Sequence, residues 1–302
     1  MQVKANGIQI EVEDSGALPG ENRPVVLLIM GLGMQLIAWP PGIVRELVDA
    51  GYRVIRHDNR DIGLSQHFDH LGLPNLVWTM IKHKLRAAIR PAYSIADMAQ
   101  DAVGVLDALG VGQAHVVGVS MGGMIAQRMA IAAPHRVRSL TSVMSTSSAR
   151  GLPEATHKVR RALLGRPKSA AIDDIVAHYV HLYKTIGSPG FPMPEREMKE
   201  RIRWSIGRSF HPQGTMRQMV SIVADTDQRA LALAGVSAPT LVLHGRADPL
   251  VPYACGVDTA RRIPGAQMVG IDGMGHDLAP GVVERLMPPL QAFLAAQPRP
   301  AP

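Results

Sequence analysis

Two nearly continuous apolar runs, VVLLIM at residues 25–30 and AHVVGV at 114–119, constrain this chain more than any other feature. Neither shows the polar alternation of a half-exposed strand, so both read as strands covered on two faces, as in a parallel sheet. Helical patterns fill the space between and after them. Residues 43–50 form a short helix stopped by Gly51. Ser94 with Asp97 three residues on is a capping-box signal, and it opens a helix with Ile95, Met98, Ala102, Leu106 and Leu109 on one stripe. Further strands are expected at residues 8–12, from Tyr52, and at VRSLTSVMS, with a helix from Met121 to about Pro134. Strand, helix, strand, helix in this order predicts an α/β fold, a mostly parallel central sheet flanked by helices.

From about Ala149 the alternation stops. Ile172, Ile175, Val176, Tyr179, Tyr183 and Ile186 line one helix, and Met216, Met219, Val220 and Val223 line another at i, i+3, i+4, i+7. Strand character returns with TLVLHG after Pro239 and AQMVGI from Ala266, and a last helix runs over about 282–296. The expected organisation is a core of residues 1–148 and 232–302 interrupted by a helical insert, 149–231. The proline-rich tail, 297–302, is expected to fray.

Composition excludes several classes. The net charge is +7, yet aromatic residues are only 4%, against the basic, aromatic-interleaved surface of a nucleic-acid binder. The excess concentrates in Lys82, Lys84, Arg86 and Arg90, and in Lys158, Arg160, Arg161, Arg166 and Lys168; both read as solvated helix faces, with attraction of an anionic substrate or surface as the sharper alternative. The longest aliphatic run is far short of the about 20 residues a membrane span needs, and polar residues interrupt the N-terminus where a signal peptide would be apolar. One cysteine, Cys255, leaves no intrachain disulfide and no multi-cysteine metal site, so a cytoplasmic protein is expected.

Chemistry concentrates in residues 118–122, Gly-Val-Ser-Met-Gly, between a strand and a helix. This is the G-x-S-x-G nucleophile elbow: the chain turns so sharply at Ser120 that side chains two residues to either side would collide. A serine hydroxyl needs a base to become nucleophilic. The partners should follow in the order acid, then histidine, each after a core strand. Asp248 follows TLVLHG and His276 follows AQMVGI, with Asp272 as a rival acid on the histidine's own loop. Ser120 and Asp248 are 128 residues apart, about 80 more than the intervening core elements require, which matches the insert. An oxyanion hole needs the amide of Met121 and a second from the glycine-bearing loop after the first buried strand; Leu32 is the choice, Gly33 the competitor. Gly31, Gly33, Met216 and Met219 are candidate pocket residues. Trp39 either joins them or fills the core, and the methionines serve either pocket or core. Asp58, Arg60 and Asp61 read as an ion pair bracing a loop that turns at Gly63. No metal or organic cofactor is called for.

With these residues in view, the chain resembles the α/β-hydrolase superfamily over nearly its whole length. It is most similar to the aclacinomycin methyl esterase group and related bacterial carboxylesterases. The likeness rests on IMGLG at 29–33 with Ala38-Trp39-Pro40, on HDNRDIGLS at 57–65, on residues 118–122 and on Gly275-His276. The commoner superfamily pattern has glycine where this chain has Asp61, and histidine where it has Met30; the esterase group shares the aspartate. The resemblance implies a serine esterase with a helical cap; an apolar pocket under that cap suits small to medium hydrophobic carboxylic esters, and a monomer or homodimer is expected. Lactone, carbon–carbon or perhydrolysis chemistry on the same residues is the nearby alternative, and a non-catalytic ligand receptor the distant one.

Overall fold

In the computed structural model, which describes residues 1–16 and 23–298, the alternation of side chains along two central strands divides the molecule. Strands β1 (Gln2–Ala5), β2 (Ile8–Asp14) and β3 (Val25–Ile29) are followed by helix α1 (Pro41–Asp49), β4 (Arg53–His57), α2 (Leu76–Lys84) and α3 (Ile95–Ala108). Next come β5 (Ala114–Val119), α4 (Met121–Ala132) and β6 (Val137–Val143). Val25, Leu27 and Ile29 of β3 and Val116 of β5 pack with α3 and α4 on one face. Val26 and Leu28 with Val117 and Val119 pack with α1 on the other. Successive strand residues point to opposite faces, so an unbroken apolar run serves two cores at once.

The sheet order is β1-β2-β4-β3-β5-β6-β7-β8, with β7 at Thr240–Gly245 and β8 at Gln267–Ile271. All neighbours from β4 to β8 are parallel; β2 runs antiparallel to both β1 and β4. The hairpin that β1 makes with β2, the strand expected at residues 8–12, is an addition to the elements read from sequence. It turns on Asn6-Gly7, both at positive φ (49° and 82°), the conformation a tight hairpin demands.

Between β6 and β7 the chain is helical among the described residues: α5 (His157–Leu163), α6 (Ile172–Ile186), α7 (Glu195–Arg208), α8 (Pro212–Ala224) and the short α9 (Gln228–Ala232). Helices α6 and α7 share a small apolar cluster of Val176, Val180, Met198 and Ile202. Helix α8 buries only Val220 of its expected apolar stripe. It buries Gly214, Arg217, Gln218, Val220 and Ser221, leaving Met216 and Met219 half-buried. The reason is its neighbour: α8 lies on the polar loop after β4, which offers charges and carbonyls rather than a greasy surface.

Helix α10 (Tyr253–Arg262) follows β7, and α11 (Pro280–Ala295) closes the second face. The capping box at the start of α3 forms, with Asp97 N–H donating to Ser94 Oγ at 3.1 Å and Ser94 N–H to Asp97 Oδ2 at 2.7 Å. Of the proline-rich tail, residues 299–302 lie outside the described residues. No described helix is long and apolar enough to cross a membrane.

His57 at the end of β4 and His115 in β5 are buried, and burial pushes both imidazoles down to about 4 from the ordinary 6.5. Between those values the unfolded chain binds more protons than the native one, so stability falls as pH drops from about 6.5 toward 4. Urea denaturation at a series of pH values should show this loss, and His57→Asn should make it smaller than in the wild type.

Candidate active site

Strand β5 delivers Ser120 to the C-terminal edge of the sheet, at φ 55° and ψ −118°. Side chains rarely adopt this conformation, and it persists only where the surroundings enforce it. A Cβ at Gly118 would lie 2.1 Å from the carbonyl oxygen of Gly122, and one at Gly122 would lie 2.0 Å from that of Ile29. Both contacts are with backbone, which cannot step aside. Glycine at 118 and 122 is therefore a steric requirement of the turn. Helix α4 starts at Met121, so its N-terminal dipole end lies beside Ser120.

His276 Nε2 lies 2.9 Å from Ser120 Oγ, and His276 Nδ1 lies 2.7 Å from Asp248 Oδ2. Facing a carboxylate, Nδ1 carries the proton, which leaves Nε2 to accept from the serine hydroxyl. Asp248 is held by its own loop: its Oδ1 accepts from the amides of Leu250 (2.9 Å) and Val251 (2.8 Å). Ser120 is half-buried, whereas Asp248 and His276 are buried. The rival acid, Asp272, is 91% exposed and pairs with Arg246. His244, fully buried, sits 3.6 Å from Asp248 Oδ2, but its Nε2 faces the Val251 carbonyl at 2.7 Å, and burial pushes its imidazole below the usual range.

The glycine-bearing loop after β3 has a partner that sequence reasoning missed. Gln218, on α8 and fully buried, accepts the Gly33 N–H at 3.0 Å and donates through Nε2 to the Arg60 carbonyl at 2.9 Å. The Gly33 amide is thus occupied, while those of Leu32 and Met121 have no acceptor among the described residues. Gly31 brings this loop against Ser120: a Cβ there would lie 3.3 Å from Ser120 Cβ. On the far side, a Cβ at Gly33 would meet Thr215 Oγ1 at 2.7 Å. No local pattern marks a mid-helix glutamine for this task.

The loop after β4 also differs from expectation. Asp58, Arg60 and Asp61 do not brace one another; each pairs with a different helix. Asp58 Oδ2 pairs with Arg208 of α7 at 2.7 Å, and burial pushes its carboxyl up despite that partner. Arg60 meets Asp101 of α3 at 2.6 Å. Asp61 meets Arg217 of α8 at 2.5 and 2.8 Å, with Tyr93 Oη donating at 2.7 Å. Burial opposes it, yet Arg217, Tyr93 and the Phe68 amide hold the Asp61 carboxyl below its usual range. Asp61 has φ 72°, which explains why glycine suits this position elsewhere. Gly63, also at positive φ, turns the loop so tightly that a Cβ would meet the Asp58 carboxylate at 2.1 Å.

The histidine loop is stitched to the insert as well. His276 N–H donates to the Ile186 carbonyl at 2.7 Å, and Gly190 N–H to that of Gly273 at 2.9 Å. Ser188 Oγ donates to Asp277 Oδ1 at 2.5 Å and accepts from Gly275 N–H at 2.9 Å. Of the candidate pocket residues, Trp39 goes instead to the core: it is 1% exposed among Ile43, Leu47 and their neighbours. Cys255 is buried, and burial pushes its thiol up.

Among the described residues, one cluster, His67, Asp69 and His211, brings three metal-type donors within 4.8 Å of one another. The two rings stack at 3.8 Å and 9°, so their lone pairs run side by side and do not converge on one ion. Both His211 nitrogens already face acceptors, the Asp61 carbonyl at 2.9 Å and Asp69 at 2.8 Å. The cluster is a hydrogen-bonded strut between core loop and insert.

Comparison with known proteins identifies the fold family. The sequence profile described as alpha/beta hydrolase fold matches residues 24–279. The chain is 30% identical over 297 residues to rhodomycin D methylesterase DauP of Streptomyces sp. (strain C5), covering 91% of each. Among solved structures it is similar to a thermophilic esterase from Thermogutta terrifontis (TM-score 0.67, 26% identity, 98% of each chain covered). It also shares its fold with the enol-lactonase from Burkholderia xenovorans LB400 (TM-score 0.71, 20% identity, 98% and 100% covered).

Gln218→Leu removes the acceptor for the Gly33 amide and frees the loop to rotate. Steady-state kinetics should show kcat falling by about 10- to 100-fold, the cost of sub-ångström misplacement, with KM changed far less.

Proposed function

Because the chain belongs to the alpha/beta hydrolase family, we propose that it is a serine hydrolase cleaving carboxylic esters through an acyl-serine intermediate on Ser120. The observation that carries this reading is the continuous hydrogen-bonded chain Asp248–His276–Ser120. Ser120 Oγ attacks the ester carbonyl as His276 Nε2 takes its proton, and Asp248 stabilises the imidazolium that forms. The amides of Leu32 and Met121 receive the developing oxyanion; each such donor typically contributes about 10²–10³ in rate. His276 then protonates the departing alcohol. Water repeats the sequence on the acyl-serine, releasing the acid and restoring the serine.

We take residues 149–231 as the cap over this site, with Gly31, Met216 and Met219 lining its apolar pocket. Gly33 contributes by its tight fit beneath α8. The 30% identity to a methylesterase over 91% of both chains supports an ester as the bond cleaved, and a small to medium hydrophobic ester as the substrate. The single buried cysteine fits a cytoplasmic setting, where the protein acts as a monomer or homodimer.

Purified protein should hydrolyse a panel of p-nitrophenyl and aryl methyl esters. Ser120→Ala and His276→Ala should each lower kcat/KM by about 10⁴-fold or more, with unchanged thermal unfolding. Activity of Ser120→Ala within tenfold of wild type contradicts the mechanism. Lactones turned over far faster than every open-chain ester would contradict the substrate class.

A further inference from the structure

Helix α2 is inside out. Its wholly buried residue is Thr79, while Val77, Trp78, Met80, Ile81 and Leu85 are 73%, 52%, 53%, 41% and 70% exposed. Positions 77, 80, 81, 84 and 85 fall on one face of a helix. All but Lys84 are apolar, and that face points to solvent. Of the fourteen exposed large hydrophobic residues described, eight lie between Leu64 and Leu85. Singly exposed apolar residues need no explanation, but a contiguous patch marks a docking surface.

Charge selects the partner. No acidic residue occurs between Asp69 and Asp97, whereas Lys82, Lys84, Arg86 and Arg90 crowd the C-terminal half of the segment. Two copies of the chain meeting through this face would oppose four cations with four cations. An anionic bilayer meets both demands at once, taking the apolar face into the acyl boundary and the cations at the headgroups. Trp78 suits the interface between the two, and Lys82 Nζ lies 5.7 Å from its ring centroid. The helix is firmly mounted. Asn75 caps it by accepting the Trp78 N–H at 2.9 Å, Arg217 holds the Gly72 carbonyl at 2.9 Å, and α2 packs on α8.

We propose that α2 docks this protein, reversibly and in the interfacial plane, on an anionic phospholipid surface. Docking there sets the bilayer beside α8, whose Gln218 holds the loop facing Ser120. The docking does not depend on the reaction the site performs.

Sedimentation of the full chain with vesicles tests this. Binding to phosphatidylcholine vesicles containing about one third phosphatidylglycerol should be at least about tenfold tighter than to phosphatidylcholine alone, and should weaken with salt. The pairs Val77→Asp/Ile81→Asp and Lys82→Glu/Lys84→Glu should each lose about tenfold or more, with thermal unfolding and turnover of a small water-soluble ester unchanged. Absence of vesicle binding, equal binding to both compositions, or binding that survives both pairs would overturn the proposal. A concentration-dependent dimer dissolved by Ile81→Asp, without vesicle binding, would assign the face to a second copy instead. Capture by an acidic peptide without vesicle binding would assign it to a protein.

Discussion

One close approach governs this molecule: the carbonyl oxygen of Ile29 occupies the space where a side chain at residue 122 would begin. That contact brings the end of β3, the end of β5 and the start of α4 within backbone distance of one another. The strained turn at Ser120 follows from it. Strain of this kind costs about 1–3 kcal/mol, and the surrounding hydrogen bonds offset it. Ser120 N–H donates to the Val143 carbonyl, while the Ser120 carbonyl accepts from the amides of Gly123 and Met124 and from Ser145 Oγ. The same approach places Gly31 beside Ser120, so the turn and the glycine-bearing loop have one steric origin.

A second layer of constraint comes from the helices between β6 and β7, which engage the neighbouring loops mainly through polar groups. Arg217 and Asp61 are 1% and 0% exposed in their side chains. Removing one partner of such a pair typically costs about 3–5 kcal/mol, although the pair need not outperform a well-packed apolar contact. What it supplies here is register. A one-residue rotation of α8 swings each side chain by about 100°, carrying Arg217 off Asp61 and Gln218 off Gly33 together. Ser188 and Ile186 do the equivalent for the loop that carries His276. The insert therefore positions two loops of the site, one on each side of Ser120.

Strands β3 and β5 were legible because burial on both faces writes itself as a nearly unbroken apolar run. The three side chains of the hydrogen-bonded chain were legible because each follows a strand of the sheet, in a chain order with a topological reason. The β1–β2 hairpin escaped because QVKA exposes Gln2 and Lys4 and carries little apolar signal, although Asn6-Gly7 marked its turn. The partners of Asp58, Arg60 and Asp61 lie 150, 41 and 156 residues away. No local pattern encodes such pairings, and for that reason one internal ion pair was expected where three external ones exist. Helix α2 was not read from the sequence beyond its basic stretch, and α8 misled. The apolar stripe of α2 faces outward, whereas α8 turns arginine and glutamine inward, because its packing surface is a charged loop.

The central claim is that Ser120 is made nucleophilic by His276 in the folded protein. The most direct measurement is labelling with a fluorophosphonate, followed by intact-mass and peptide analysis. The account predicts one adduct per chain, located on Ser120, forming rapidly in the native protein and very slowly in His276→Ala or after unfolding. Failure of the native protein to label, or an adduct on any other residue, would contradict it.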